Sequence, residues 1–287
     1  MAAASAEETI KHRFLAADES GHQLLYVDQF DSSKDWTIKL QGNRDIQLLD
    51  DKRLLASFPG GYREYEIATG RMIKEVKVDL KGVFSARRHR NNHTYVANRS
   101  DLVELDENDK VVKKHAKLLD GSFRVMRMTP AGHFLFICKG TSIKEVGGDG
   151  ETVRTLDLKK IDPKIHKCYF IDILSDGNYL VSTGSGKYVL VLDKEWKLVR
   201  KVGGPDCAPG EKLNFFAGAA MLENGNIVVT HWCGHKKKDS RKAAQLLEFD
   251  KAGKLVWKWH DSQRAGCLHG IIMLKQVKLL QNRPGMP

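Results

Sequence analysis

Apolar side chains recur along this chain in short runs, and within many runs they alternate with polar ones. The stretches "YVLVLD" (Tyr188 to Asp193), "LLEFD" (Leu246 to Asp250) and "DLVELD" (Asp101 to Asp106) are rich in Val and Leu and stop at an acidic turn residue. Successive side chains of a strand point to opposite faces of its sheet, so alternation of period two over roughly four to eight residues predicts a half-buried strand. Branched and aromatic side chains fill such a pleated surface well. No segment sustains an apolar stripe of helical period with caps.

The runs are ordered into a longer sentence that repeats. "GNYLVSTGSGKYVLVLDKEWKLVRKV" (Gly177 to Val202) holds three runs broken by polar corners. The same order recurs in Leu48 to Val76, Arg90 to His115, Met128 to Leu156 and Met221 to Trp259. Each unit has an apolar segment, a polar corner often containing Gly, a β-rich run, a second corner, a run ending near Asp or Glu, and a basic-apolar run. The period is roughly 38 to 47 residues, and four short strands in that span predict a propeller blade.

The ends complete the count. His12 to Leu40 supplies strands two to four of a blade, and Cys267 to Gln276 supplies only a first strand. Joined, they close a sixth blade and remove the exposed sheet edges of an open array. The prediction is an all-β, six-bladed β-propeller of four-stranded blades over residues 11–278, with tails at 1–10 and 279–287.

Two phrases are specific: "SFRVMRMTPAGHFLF" (Ser122 to Phe136) and the long unit from Phe215 to Trp259. They resemble bacterial propeller-repeat proteins grouped with the pyrroloquinoline-quinone-like propellers. The resemblance covers nearly the whole chain and implies the fold, together with export. True quinoproteins of that superfamily join adjacent cysteines and hold calcium at an acidic site. This sequence has no Cys-Cys pair, so neither the quinone nor its calcium, nor any other cofactor, is expected. A looser resemblance, to the six-bladed aryl-sulfotransferases, implies a histidine in a basic central funnel, although no defining motif of theirs is matched.

Charge sharpens the functional question. Lys and Arg number 47 against 36 Asp and Glu, a net charge of +11. A basic balance favours anionic partners or amounts to a solvated surface. The densest cluster is "HKKKDSRK", His235 to Lys242. Nonspecific nucleic-acid binding is permitted by charge, but no nucleic-acid-binding motif is present, so it is not expected. No apolar run is long enough to span a membrane. Five cysteines without a CxxC are no disulfide framework. "MAAASAEE" lacks the charged and apolar regions of a signal peptide, but Ala4-Ser5-Ala6 has the form of a cleavage remnant. The expectation is a periplasmic or secreted protein if an upstream signal was removed, and a cytoplasmic one otherwise.

Candidate chemistry gathers where the innermost strands start. Aligned on the following glycine corner, these positions are Arg44, Phe84, Arg124, Tyr169, Ala217 and His269. Three residues further in stand Gln47, Arg87, Arg127, Asp172, Ala220 and Ile272. Guanidinium forks suit carboxylate, phosphate or sulfate. The functional expectation is a basic funnel for an anionic, saccharide-related ligand, or a platform for a protein partner. The structural alternative is a salt-bridge network plugging the channel, with Asp45 and Asp172 offsetting the arginines. A third reading is an enzyme, a group transferase or lyase, in which His269 acts beside Arg44 and Arg124 with Tyr169 as a second proton donor.

Secondary candidates lie in the corners. Trp232 could stack on a sugar ring, and Asn98 and Arg99 in "ANRSD" are plausible contacts. His231, Cys233 and His235 alternate as metal ligands can, but their spacing fits no common zinc site, so a structural role is expected and no metal. The insertion Lys236 to Ala244 lengthens one corner. "STGSGK" (Ser182 to Lys187) lacks a full phosphate-loop pattern and reads as a turn. No GxSxG occurs, so serine-hydrolase chemistry has no support.

Overall fold

The computed structural model describes residues 10–115, 125–138 and 140–274. Its strands group into six four-stranded antiparallel sheets in a ring, a six-bladed propeller. The closing blade runs β24-β1-β2-β3 from the inside out, with β1 at Arg13–Asp18, β2 at Gln23–Asp28, β3 at Trp36–Lys39 and β24 at Leu268–Met273. The second blade holds β4 (Ile46–Leu48), β5 (Arg53–Phe58), β6 (Gly61–Glu66) and β7 (Met72–Lys77). The third holds β8 (Ser85–Arg88), β9 (Thr94–Ala97), β10 (Leu102–Leu105) and β11 (Val111–His115). The fourth holds β12 (Met126–Met128), β13 (Phe134–Ile137), β14 (Ser142–Val146) and β15 (Thr152–Asp157). The fifth holds β16 (Phe170–Ile173), β17 (Tyr179–Ser182), β18 (Tyr188–Leu192) and β19 (Leu198–Gly203). The sixth holds β20 (Phe215–Met221), β21 (Ile227–Trp232), β22 (Leu246–Phe249) and β23 (Leu255–Trp259).

In three blades the acid that follows the third strand sets the next turn. Asp193 Oδ1 accepts from the backbone N–H of Glu195 and Lys197 at 3.0 and 2.8 Å, and Asp106 and Asp250 repeat the arrangement. A carboxylate that bonds its own downstream backbone replaces a hydrogen bond that the strand end would otherwise lose. Three residues after each acid the chain turns left-handed, at Asp109, Trp196 and Gly253. A tryptophan there costs backbone strain. Its ring is held at 6% exposure, with the Arg154 guanidinium 4.0 Å from its centre.

Blades join through apolar side chains between neighbouring sheets. Phe14, Leu25 and Val27 of the closing blade pack with Val228, Trp257 and Trp259 of the sixth. Burying such a side chain contributes about 1.5–3 kcal/mol. Third-strand acids add directional links: Glu64 meets Arg88 of the next blade at 2.8 Å, and Glu248 meets His12 at 2.7 Å. That last pair is almost wholly buried and ties the closing blade to the sixth. β24 pairs antiparallel with β1, so residues from opposite ends of the chain share one sheet.

Candidate functional site at the channel mouth

The connections from each outermost strand to the next innermost strand open on the same face as the second-to-third-strand turns. Their residues meet over the central channel. The cavity at that mouth is lined by Arg44, Asp45, Phe84, Val125, Tyr169, Phe170, Gly218 and His269. Below it a second cavity is lined by Asp45, Arg127, Asp172, Gly270 and Ile272 among others. Each narrows to the width of about one water molecule. Neither cavity therefore has room for a group larger than about a water molecule, and anything bigger could only lie over the mouth.

Close backbone approach explains the narrowing. A Cβ on Gly218 would lie 2.3 Å from the His269 carbonyl oxygen, and one on Gly270 would lie 2.9 Å from that of Arg44. Gly218 lets the innermost strand of the sixth blade approach that of the closing blade, and Gly270 lets the closing blade approach the second. Thr230 Oγ1 donates to the His269 carbonyl at 2.8 Å and accepts from the Gly218 N–H at 2.7 Å. The backbone of His269 is thereby fixed.

The deeper cluster is a closed ion network. The Asp45 carboxylate receives the Arg87 guanidinium, the Ser85 hydroxyl and, at 3.2 Å, Arg127 Nη1. Arg127 Nε lies 3.2 Å from Asp172 Oδ1. Burial and the neighbouring Arg127 charge press the Arg87 pKa down, while Asp45 and Asp172 hold its charge. Two guanidiniums face two carboxylates contributed by four successive blades. Gln47, aligned with these residues in the sequence, turns away: its side chain bonds both the N–H and the carbonyl of Arg88 between two blades.

The mouth is arranged around Glu19, which the sequence did not single out. Glu19 sits in the turn between β1 and β2, and its N–H donates to the Cys267 carbonyl at 3.2 Å. Its carboxylate accepts from Arg44 Nη2 at 3.0 Å, from Trp232 Nε1 at 3.3 Å and from His235 Nδ1 at 3.2 Å. His269 Nε2 lies 4.0 Å from it. Burial raises the affinity of this carboxyl for a proton, but the adjacent His269 and Arg44 outweigh burial and hold it below its ordinary pKa. On the far side of the imidazole, the Tyr169 hydroxyl lies 2.6 Å from His269 Nδ1. With that hydroxyl donating, the remaining ring proton sits on Nε2, facing Glu19.

Aromatic rings frame these groups, and cations cover them. The guanidiniums of Arg44 and Arg99 lie 5.2 and 5.3 Å from the centre of Phe84. Lys167 Nζ lies 5.3 Å from the centre of Phe215. Trp232 packs edge-on against Phe215 and His235.

The structure thus brings Arg44, Tyr169, Trp232 and His269 together and places Arg87, Arg127 and Asp172 in the layer beneath. Arg124 lies outside the described residues. In the sixth blade, register shifts between Phe216 and Ala219, and Gly218 lines the mouth where the alignment places Ala217. Asn98 caps its own turn, accepting from Ser100 and Asp101 N–H. His231 uses both ring nitrogens, one towards the Ala244 carbonyl and one accepting from Asn214 N–H. Among the described residues no group of three His, Cys, Asp or Glu is placed to hold a metal ion. No helix among them is long and apolar enough to cross a membrane.

One signal for Glu19 was present in the sequence. The first residue of the second-to-third-strand turn is Glu19, Pro59, Asn98, Cys138, Thr183 or Cys233 around the ring. Glu19 is the sole acid of that series. It was obscured because its blade is split between the two ends of the chain.

No model of a known family matches the sequence, and no characterised protein matches it. The fold has many solved relatives. A protein of unknown function from Bacteroides caccae superposes with a TM-score of 0.74 at 19% identity, over 93% of this chain and 100% of its own. A streptogramin B lyase superposes at 0.62 with 11% identity, over 96% and 88%. A chain from a nidogen/laminin complex superposes at 0.65 with 11% identity, over 91% and 97%. At these identities the likeness is one of fold: a six-bladed β-propeller, an architecture that serves a lyase and a chain of a protein complex alike. None of the matches assigns the chain to the quinone-like repeat group.

Proposed function

We propose that the channel mouth binds a small anionic ligand, an acidic sugar being the form that suits it best. The observation that carries this reading is the pair of guanidiniums, Arg44 and Arg99, converging on one face of the mouth around Phe84. Arg44 already faces Glu19, whereas Arg99, lying over Phe84, has no ion pair among the described residues. An incoming carboxylate or sulfate supplies the missing negative charge and takes a forked hydrogen bond from either arginine. Sugar hydroxyls then meet Glu19, the Tyr169 hydroxyl and the His269 ring. A ligand that only grazes the narrow channel fits a binding role.

The test is thermal unfolding of the wild type and of Arg44→Ala/Arg99→Ala with glucuronate, glucose 6-phosphate and a sulfated sugar. Ligand at about 100 times its Kd adds about 2.7 kcal/mol to the native state. A rise in Tm with one anion class that disappears in the double variant is the expected result. A rise that persists in the double variant would sink the reading.

A second reading, acid–base catalysis in a lyase or group transferase, is favoured by the Tyr169–His269 hydrogen bond of 2.6 Å with a carboxylate beyond the other ring nitrogen. In that case the ring proton sits on Nδ1 and is donated to the Tyr169 oxygen, Nε2 takes a proton from substrate, and Arg44 holds the anion in place. His269→Ala then abolishes turnover while ligand still shifts the Tm. A binding protein has no turnover to lose.

A further inference from the structure

The antiparallel blades divide the chain's connections between two ends of the ring, and charge is divided with them. On the mouth face, the described connections carry fifteen Lys and Arg against nine Asp and Glu. On the opposite face the numbers are nine against fourteen. The excess acids of the opposite face include Asp106, Asp193 and Asp250, each engaged by backbone N–H groups of its own turn. On the mouth face Arg44, Lys242 and Arg264 are paired with Glu19, Asp239 and Asp261, but other cations there have no ion pair among the described residues. Lys167 and Lys187 stand in the fifth blade's connections, and Lys236, Lys237 and Lys238 in the long insertion of the sixth. All five lie outside the lining of the central cavity. A single small anion at the mouth leaves them unmatched.

We infer that this face is a docking surface for an extended acidic polysaccharide, one of whose charged sugars occupies the mouth while its neighbours meet the surrounding lysines. The inference rests on the mouth reading for the sugar at the centre and goes beyond it in the length of the ligand. A second observation selects the polymer. Single-stranded nucleic acid is held by bases stacking on open aromatic faces. Here Phe84 lies under two guanidiniums and Phe215 under an ammonium. Trp232 is boxed by Phe215, His235 and His269. A chain of carboxylates or sulfates needs only the cations.

The test compares two quadruple variants of the full chain that remove the same amount of charge. Lys167→Gln/Lys236→Gln/Lys237→Gln/Lys238→Gln strips the mouth face. Lys194→Gln/Lys197→Gln/Lys251→Gln/Lys254→Gln strips the opposite one. Binding to polygalacturonate, neutral dextran and duplex DNA is measured across a salt series. The expected result is binding of polygalacturonate alone, weakened about tenfold or more by the first variant, with a shallower salt dependence, and unchanged in the second. Equal losses in both variants would overturn the surface assignment, because net charge alone would then explain binding. DNA bound as tightly as polygalacturonate would overturn the choice of polymer. Arg44→Ala/Arg99→Ala separates the two proposals: if it abolishes the Tm shift by monomeric galacturonate but leaves the polymer bound, the mouth reading stands and polymer affinity is carried by the lysines. If neither galacturonate nor polymer binds the wild type, both readings fall together; if only galacturonate binds, the polymer inference falls alone.

Discussion

At the deeper level of the channel, Asp45 and Asp172 face Arg87 and Arg127, and all four side chains are buried. At the mouth, a single carboxylate, Glu19, is shared among Arg44, Trp232 and His235, with His269 just beyond. Both clusters draw their members from several blades and both line the same axis. The deeper one balances charge for charge, and its cost of desolvation is met within the protein. The mouth combines one acid with a larger set of cationic and titratable groups at the edge of solvent. The lesson is that a ring of arginines does not define an anion site by itself. What matters is whether the protein has already supplied the counter-charges.

The largest test of this contrast is Asp45→Ala. It leaves Arg87 and Arg127 buried without their shared partner, and a loss of about 3–5 kcal/mol is expected. Denaturant unfolding measures it, and a change below about 1 kcal/mol would erase the distinction between the clusters. Replacing the whole quartet by apolar residues of similar size should cost far less than the single change, since the charges leave together. Next comes Gly218→Ala, where the added methyl meets the His269 carbonyl. Overpacking of about 1–3 kcal/mol is expected, with displacement of His269 visible in its imidazole NMR signals.

The mouth should respond more weakly in stability. Tyr169→Phe removes one hydrogen bond to His269 and should cost about 0.5–1.5 kcal/mol in thermal unfolding. Its larger effect is expected on the His269 imidazole NMR signals. Glu19→Gln is the smallest, under about 1 kcal/mol at neutral pH, because the amide keeps an oxygen that still accepts from Arg44 or Trp232. Its signature is in the pH dependence. A carboxyl held below its ordinary pKa stabilises the fold above the usual carboxylate range, and that contribution is lost as pH falls through the folded value. Tm measured down an acid series should therefore fall less steeply in Glu19→Gln than in the wild type. Parallel acid limbs would show that Glu19 is not engaged by His269 and Arg44 in solution.

Much of the architecture was legible in the sequence for a local reason. Strand alternation, glycine corners and the acid that ends the third strand of most blades are all settled within a few residues of chain, and repetition of that sentence gave six blades and their closure. The convergence of Arg44, Tyr169 and His269 followed from the repeat as well, because equivalent positions of a ring meet at its axis. The sequence could not show that Arg87, Arg127, Asp45 and Asp172 satisfy one another, since these residues are brought within hydrogen-bond reach only by the closed ring. Nor could it show Glu19 as the centre of the mouth. That residue reaches Arg44, Trp232, His235 and His269 from a blade assembled out of both ends of the chain. Hydrogen bonds along a strand depend on neighbours in sequence, but charge balance in a buried channel depends on distances across it, and those exist only once the blades have packed.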